Sequence, residues 1–290
     1  MMKWQFLDED ESNFPDKRVS ILAVPLERST SWKGGTAEGP GAIIQASSAL
    51  ESFDDELFIE TFKAGIDTKE PLTFTGMCAE EAMVLIREAV SREINLGRLP
   101  VILGGEHTVT VPAVAACAAH FPRLNVLQID AHLDLRDQYQ GDSLSHACVM
   151  RRIHEMGLPS VQVGIRSFSK EEWGFVQQKQ LTPFTMDRIR MEQDWVDKID
   201  ACLDRDVYIS IDADGLDPSI MPSTGTPEPD GLLWRDVTRL LKKICSSHRI
   251  VGFDFVEFSP SNEHHHAAFT AAKLIYRILG YIFGRLPVVK

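Results

Sequence analysis

The feature that most constrains this chain is a regular alternation of short apolar runs with longer segments of helical periodicity. The apolar runs are "RVSILAVPL", "LPVILGG", "LNVLQID", "SVQVGIRS", "DVYISID" and "RIVGFDFVEF". Among them lie the helical patterns "AEEAMVLIREAVSREINLG", "VTVPAVAACAAHF", "SHACVMRRIHEMG", "WRDVTRLLKKICSS" and a C-terminal helix that begins near His264. Continuously apolar strands that alternate with helices are typical of parallel strands covered on both faces. The pattern therefore predicts an α/β protein, a three-layer sandwich with a mainly parallel sheet, with a closed barrel as the alternative.

Length and charge limit the domain organisation and the class of partner. The chain has 290 residues and no Pro- or Gly-rich linker, so we expect a single catalytic domain over residues 1–290. Its formal net charge of −12 argues against nucleic acid and anionic membranes as partners, because both attract clustered Lys and Arg. The charge is compatible with a small cationic substrate.

Cysteine usage and hydropathy indicate a cytoplasmic protein. The 5 cysteines are dispersed and show no Cys-x-x-Cys spacing, which predicts neither a disulfide framework nor a thiolate zinc site. The N-terminus is acidic and lacks the apolar core of a signal peptide. The most apolar segment, "AAFTAAKLIYRILGYIFG", carries Lys273 and Arg277 at helical spacing, as expected for a helix packed on a core. No membrane span is predicted.

Ionisable residues follow four of the predicted strands at the point where each strand ends. They are His107 after "VILGG", Asp130, His132 and Asp134 after "VLQI", Asp212 and Asp214 within "SIDADGLDP", and Glu257 after "VGFDFV". In open parallel sheets, ligands bind beyond the carboxyl ends of the strands, so these clusters share one rim. Unpaired charges are costly at the end of a buried strand, whereas metal ions would neutralise them. The sequence therefore predicts a shared metal site.

The number and type of these ligands indicate two ions. Two His and four Asp exceed the four ligands, usually rich in Cys or His, that a structural zinc takes. An oxygen-dominated set with two imidazoles suits Mn(II) better than Zn(II) or Mg(II). Metal-bound water can have its pKa lowered to about 7, so we expect two Mn(II) per chain to supply a hydrolytic nucleophile.

The motifs "GGEH", "DAHLD", "SHA", "SIDADGLDPS", "PSTGTPEPDGL" and "VGFDFVEFSP", in this order, resemble the ureohydrolase family. That family includes agmatinase, arginase, guanidinobutyrase and formimidoylglutamase, and the resemblance extends over nearly the whole chain from Val19 onward. It implies the arginase–deacetylase fold and a homo-oligomer, either a trimer or a hexamer. Two departures are Leu133, where a small or hydroxylated residue is commoner, and "VEFSP", where Asn or Ala usually precedes the proline.

Residue roles are implied by the same resemblance. One manganese would be ligated by His107, Asp130, Asp134 and Asp212, and the other by Asp130, His132, Asp212 and Asp214, so that Asp130 and Asp212 bridge. His146 in "SLSHAC" matches the histidine that moves protons near the leaving group, and Glu257 matches the acid that pairs with the substrate guanidinium. We count His146, Asp134 and Glu257 as the catalytic residues.

The expected reaction is hydrolysis of a guanidino compound to urea and an amine, most specifically agmatine to putrescine. The loop "RDQYQGDSLSHAC" lacks the Asn that arginases carry there and adds Asp137 and Asp142, an acidic rim that would attract the ammonium of agmatine. Alternatives within the family are arginase, guanidinobutyrase and another guanidino or formimino hydrolase. Alternatives outside the family are a dinuclear phosphoesterase and a non-catalytic metal-binding protein.

Simpler structural explanations apply to several of these residues. His146 could cap the helix "SHACVMRRI", although Ser145 is a better N-cap, and Glu257 could be a buried ion-pair partner. The run "HHH" at 264–266 is expected to be non-catalytic, because consecutive residues of a helix point in different directions. The glycine-rich "GGTAEGPGAI" lacks the Lys-Ser/Thr of a phosphate loop and predicts a helix-leading loop near the mouth of the site.

Overall fold

A computed structural model describes residues 4–7, 14 and 16–284. Within them an eight-stranded sheet has the order β2-β1-β3-β8-β7-β4-β5-β6, and every strand pair is parallel. The strands are β1 Val19–Val24, β2 Ile66–Thr68, β3 Leu99–Gly104, β4 Leu124–Ile129, β5 Ser160–Ile165, β6 Phe184–Thr185, β7 Asp206–Asp212 and β8 Arg249–Val256. The sheet is open, with β2 and β6 at its edges, so the predicted parallel sheet is confirmed and the barrel alternative is wrong.

Helices cover both faces of the sheet. They are α1 Gly39–Ser47, α2 Ala79–Asn95, α3 Thr110–His120, α4 Val149–Glu155, α5 Lys170–Lys179, α6 Met186–Met191, α7 Trp195–Ala201, α8 Trp234–Ser247 and α9 His266–Phe283. Helices α1 and α6 to α9 form one apolar core with the sheet, and α2 to α5 form the other. Alternate residues of a strand serve the two cores: Ile21 of β1 belongs to the first and Leu22 to the second. The predicted three-layer sandwich is confirmed.

Helix α9 is the apolar C-terminal helix that the sequence predicts to pack on the core. Leu274, Ile275 and Ile278 are fully buried on the sheet. The Arg277 side chain is 5% exposed and its guanidinium contacts Asp54 and Asp55, each at 2.6 Å, which ties α9 to the loop between α1 and β2. Among the described residues, no helix combines the length and apolarity that crossing a membrane would require.

The four strands whose ends carry the ionisable residues are consecutive in the centre of the sheet, in the order β3-β8-β7-β4. Because they are parallel, their carboxyl ends meet on one edge and their side chains converge there. Gly215, after β7, lets the backbone of this segment lie against the end of β4, since a Cβ at this position would lie 2.8 Å from the backbone nitrogen of Asp130. The sheet order and this glycine bring the ends of β4 and β7 together.

Candidate metal centre and active site

Each ionisable residue that the sequence singles out lies at the carboxyl edge of the sheet. His107 begins a short 3-10 helix after β3, Asp130 directly follows β4, and Asp212 is the last residue of β7. Asp134 and Glu257 have φ angles of 50° and 59°, in the left-handed region that non-glycine residues rarely adopt. Such strain typically persists at functional sites, where it directs a side chain toward a ligand.

The first group of potential ligands is centred on His107, which is 1% exposed. Its Nδ1 lies 3.2 Å from Asp130 Oδ2, 3.0 Å from Asp134 Oδ2 and 3.2 Å from Asp212 Oδ2. Despite these short distances, Nδ1 makes no hydrogen bond of acceptable geometry with the described residues. Three carboxylate oxygens therefore converge with an imidazole lone pair around one small volume.

The second group shares Asp130 with the first. His132 Nδ1 lies 3.1 Å from Asp214 Oδ2 and 3.6 Å from Asp130 Oδ1. Asp130 thus presents Oδ2 to the first group and Oδ1 to the second. Asp212 faces the first group through Oδ2, while its Oδ1 accepts the backbone N–H of Asp214 at 2.9 Å. The bridging role of Asp212 stays a prediction.

The donor set fits divalent ions. The ligand atoms of His107, Asp130 and Asp212 lie within 4.8 Å of one another, as do those of Asp130, His132 and Asp214. Burial, together with the charge of Asp130, raises the pKa of Asp134 to about 7. Packing several carboxylates in a buried volume is unfavourable without cations, and the two imidazoles are ligands that Mn(II) and Zn(II) accept.

A buried hydrogen-bond chain fixes the ring of His107. Its Nε2 lies 2.9 Å from Ser210 Oγ, and that hydroxyl donates to Asp254 Oδ1 at 2.7 Å. Asp254 also accepts hydrogen bonds from Thr110 Oγ1 at 2.8 Å and Tyr208 OH at 2.7 Å. Since Ser210 donates to the carboxylate, it accepts from Nε2–H, which assigns the proton of His107 to Nε2 and leaves the Nδ1 lone pair for a metal.

A cavity of about 270 Å³ opens onto both groups. Besides five of the potential ligands, the residues that line it include Trp32, Lys33, Arg136, Tyr139, His146, Phe168, Glu172, Thr226 and Glu257. Glu257 Oε1 accepts the backbone N–H of His107 at 2.6 Å, so one carboxylate oxygen is held by the main chain. Burial, together with the charges of Glu106 and Asp214, raises the pKa of Glu257 to about 8. Its ionised form would therefore be stabilised by a cation in the cavity.

His146 lies in the cavity wall between two hydroxyl groups. Its Nε2 is 2.7 Å from Ser31 Oγ and its Nδ1 is 3.2 Å from Ser29 Oγ. Ser145 is the N-cap of the following 3-10 helix, as the sequence suggests, which leaves the His146 side chain free to face the cavity. The pKa of His146 is lowered to about 4, chiefly because burial disfavours the charged imidazolium. At neutral pH His146 is a neutral group able to accept or pass on a proton.

Glu106 is a functional-site residue to which the sequence assigned no role. It is fully buried beside His107, and its Oε2 accepts the backbone N–H groups of Arg28 and Ser29, both at 2.6 Å. This anchors the loop that carries the hydroxyls around His146. The sequence signal for this role is the acidic residue in "GGEH", at the end of an otherwise apolar strand, which indicates that Glu106 has a buried partner. The sequence does not show that this partner is a loop 78 residues away.

The structure changes the electrostatic view of the rim. Asp142 is paired with Arg28 at 2.6 Å, and Asp137 is paired with Arg152 at 2.9 Å. Neither acid is among the residues that line the cavity. The argument that a free acidic rim attracts the substrate ammonium is therefore not supported, because the arginines neutralise both carboxylates.

Three further sequence interpretations can be compared with the structure. The glycine-rich segment leads into α1, and Trp32 and Lys33 just before it line the cavity, as expected for a loop at the mouth. The run 264–266 lies at the start of α9 and outside the cavity lining. Leu133 is fully buried in the second core, away from the ligands that flank it.

A three-layer parallel α/β sheet with overlapping carboxylate and imidazole groups beneath a cavity defines a class of hydrolytic enzymes, and comparison with known proteins agrees. The model of the arginase family matches residues 17–280. The N(1)-aminopropylagmatine ureohydrolase of Thermus thermophilus is 41% identical over 94% of this chain and 92% of its own length. The agmatinase of Pyrococcus horikoshii is 38% identical over 91% of this chain and 92% of its own. The solved agmatine ureohydrolase of Thermoplasma volcanium superposes with a TM-score of 0.86 at 28% identity, over 98% of this chain and 96% of its own.

The chain therefore belongs to the arginase family. Within that family it is an agmatinase-like ureohydrolase, a hydrolase of the type named in these relatives.

Proposed function

We propose that the protein uses two Mn(II) ions to hydrolyse a small cationic guanidino amine to urea and the free amine. The observation that carries the proposal is that two ligand groups sharing Asp130 lie at the floor of a cavity whose walls present Glu257 and His146. When bound, the two ions would lower the pKa of water and so supply a hydroxide nucleophile at neutral pH. The ligands would be His107, Asp130, His132, Asp134, Asp212 and Asp214.

Glu257 would hold and orient the guanidinium. One of its oxygens accepts the N–H of His107, which leaves the other available to accept hydrogen bonds from the substrate. A guanidinium donates through a planar fork of N–H groups, so a carboxylate fixed at one oxygen restricts its orientation. This positioning matters because the guanidinium carbon is a poor electrophile that must be presented to the nucleophile.

His146 would move the proton that the departing amine requires. Addition of water to the guanidinium followed by C–N cleavage gives urea and an amine that leaves protonated. The imidazole of His146 is neutral at pH 7 and touches two serine hydroxyls that can pass on a proton. A general acid or base in this position typically contributes about 10²- to 10⁴-fold to the rate.

Agmatine is the substrate that the sequence predicts, and N(1)-aminopropylagmatine is a second candidate. Trp32 is 69% exposed and Phe168 is 42% exposed, although both line the cavity. Trp32 follows β1 and Phe168 follows β5, on opposite sides of the four central strands. The Trp32 ring already contacts the Lys33 ammonium, whose Nζ lies 5.0 Å from the ring centroid. Phe168, on the opposite side of the mouth, is therefore the ring that suits a second ammonium group on a longer amine, through cation–π attraction. The name of the Thermus thermophilus relative is consistent with that extension.

The decisive experiment measures, under Mn(II), urea release from agmatine, N(1)-aminopropylagmatine, arginine and guanidinobutyrate, and formamide release from formimidoylglutamate. We expect the highest kcat/KM for one of the first two. Guanidinobutyrate is included because Lys33 lines the cavity and could pair with a carboxylate. A clear preference for a carboxylate-bearing compound would overturn the substrate assignment. No urea and no formamide from any compound would favour a non-catalytic metal-binding protein.

Metal stoichiometry is measured on the same preparation. We expect two Mn(II) per chain, and Asp130→Asn should abolish turnover, because this residue belongs to both ligand groups. A matched control is Asp137→Asn, which removes an exposed carboxylate that does not line the cavity. A stoichiometry near one, or activity supported by zinc but not by manganese, would contradict the two-manganese scheme.

A further inference from the structure

Two glutamine side chains are buried next to the ligand groups, in the interior of the sheet. Gln128 in β4 is fully buried, Gln162 in β5 is 5% exposed, and the two residues are direct partners in the parallel register. Gln162 Nε2 donates to Gln128 Oε1 at 2.6 Å and to the carbonyl of Leu133 at 2.7 Å. Gln128 Nε2 in turn donates to Asp130 Oδ2 at 2.6 Å.

The direction of this hydrogen-bond chain is determined by its two ends. A backbone carbonyl and an ionised carboxylate can only accept hydrogen bonds, so each must face an amide nitrogen. Gln162 therefore points its nitrogen at Leu133, and Gln128 points its nitrogen at Asp130. Turning either amide over would place oxygen against oxygen, so the pair has a single arrangement.

Both ends of the chain lie on the segment that carries the ligands. Asp130 is a shared ligand, and Leu133 lies between His132 and Asp134. The glutamine pair thus spans the segment 130–133 and holds it against β5. The oxygen that Gln128 contacts is Oδ2, which faces His107 at 3.2 Å, whereas the other oxygen faces His132 at 3.6 Å.

We propose that Gln128 and Gln162 are positioning residues that set the affinity of the metal centre, and that they act most on the ion bound by the His107 group. This inference rests on the two-metal site of the proposed function. Buried amides at strand positions that would otherwise be apolar are costly unless they are fully paired, and here every hydrogen bond of the pair leads to the ligand segment. Partners that orient metal ligands in this way typically change metal affinity by about 10- to 100-fold.

The test compares Gln128→Met, Gln162→Met and the double variant with the wild-type protein. Methionine keeps the length of the side chain and removes its hydrogen bonds. Mn(II) is titrated calorimetrically into each protein after chelator treatment. We expect Gln128→Met to weaken one Mn(II) by about 10- to 100-fold, and the second ion to change less. Gln162→Met should weaken the same ion by a smaller factor.

The double variant separates positioning from general stability. Because Gln162 reaches Asp130 through Gln128, the double variant should bind Mn(II) within about threefold of Gln128→Met, a non-additive result. Losses that multiply across the two sites would overturn the link from Gln162 to Asp130 through Gln128, and would assign the effect of Gln162 to its hydrogen bond with the carbonyl of Leu133. Asn125→Leu is the control, since Asn125 is a buried amide of the same strand that donates to the carbonyl of Arg123 and not to a ligand. It should leave Mn(II) affinity unchanged.

Circular dichroism and thermal unfolding monitor the fold of every variant. If Gln128→Met does not fold, Gln128→Asn keeps the amide but is too short to bridge Gln162 and Asp130, and the same loss of affinity is expected. Wild-type affinity in the variants, with urea release intact in the wild-type protein, would overturn this inference alone. A wild-type protein that binds no Mn(II) would overturn both this inference and the proposed function.

Discussion

Replacement of Glu257 by glutamine should remove the carboxylate that we propose to hold the substrate, while leaving the proposed metal ligands intact. The carboxylate oxygen Oε1 accepts the N–H of His107 at 2.6 Å, and a glutamine oxygen would take over that hydrogen bond. Its NH₂ group must then face the cavity, where the N–H groups of a guanidinium need an acceptor. In the variant, the charge-assisted hydrogen bond between carboxylate and guanidinium is lost, and two N–H donors, those of the glutamine and the guanidinium, face each other instead.

The size of the effect follows from the hydrogen bond that is lost. Hydrogen bonds to charged groups contribute about 1.5 to 3 kcal/mol. Because each 1.36 kcal/mol is a factor of ten, kcat/KM should fall by about 10- to 150-fold. The opposed NH₂ donors add to this loss, so the range is a lower bound. Mn(II) content should not change, since Glu257 is not among the clustered ligand residues.

The assay is steady-state urea release with the preferred substrate, with metal content measured on each sample. Asp142→Asn is the control, because Asp142 is paired with Arg28 and does not line the cavity. We expect a change of less than about threefold for this control. Wild-type kcat/KM in Glu257→Gln would refute the assigned role of Glu257, and a large loss in Asp142→Asn would restore the acidic-rim argument.

Two further predictions concern stability. Burial lowers the pKa of His146 from 6.5 to about 4, so the unfolded chain binds the proton more tightly and stability falls as pH falls from 6.5 toward 4. Between pH 6.5 and pH 5 this difference in pKa lowers the free energy of unfolding by about 1.6 kcal/mol, a loss that His146→Asn should not show when both proteins are unfolded in urea. Identical pH dependence of the two proteins would contradict the burial of the neutral imidazole. Arg277→Met leaves Asp54, which is fully buried, without its partner and should cost about 3 to 5 kcal/mol of unfolding free energy. Since Arg277 does not line the cavity, kcat should stay within about twofold of wild type, and a large loss of kcat would show that α9 is coupled to the site.

The fold class and the placement of the candidate ligands at the strand ends were predictable because both depend on local patterns. A central parallel strand is apolar throughout and ends where its polar residues begin, so β3, β4, β7 and β8 and the clusters after them could be read from short stretches of sequence. The edge strands β2 and β6 have 3 and 2 residues and show no periodicity, so their absence from the prediction has a simple cause.

The surroundings of the site were not predictable in the same way. Glu106 and the loop at Arg28 and Ser29 are brought together by the pairing of β1 with β3, a contact between distant parts of the chain. The salt bridge of Asp142 with Arg28 likewise joins residues 114 positions apart. This salt bridge neutralises the carboxylate of Asp142, which the sequence analysis had treated as unpaired.

The sequence by itself determined which residues can ligate a metal, since the alternation of Asp130, His132 and Asp134 along an extended backbone is a local property. Tertiary structure alone decided that β3, β8, β7 and β4 are neighbours, that Asp130 presents one oxygen to each ligand group, and that Gln128 and Gln162 support it. The physical reason is that strand order and side-chain pairing are set by long-range packing between the two cores. The free energy of that packing depends on the whole chain and leaves no periodic signal in any one segment.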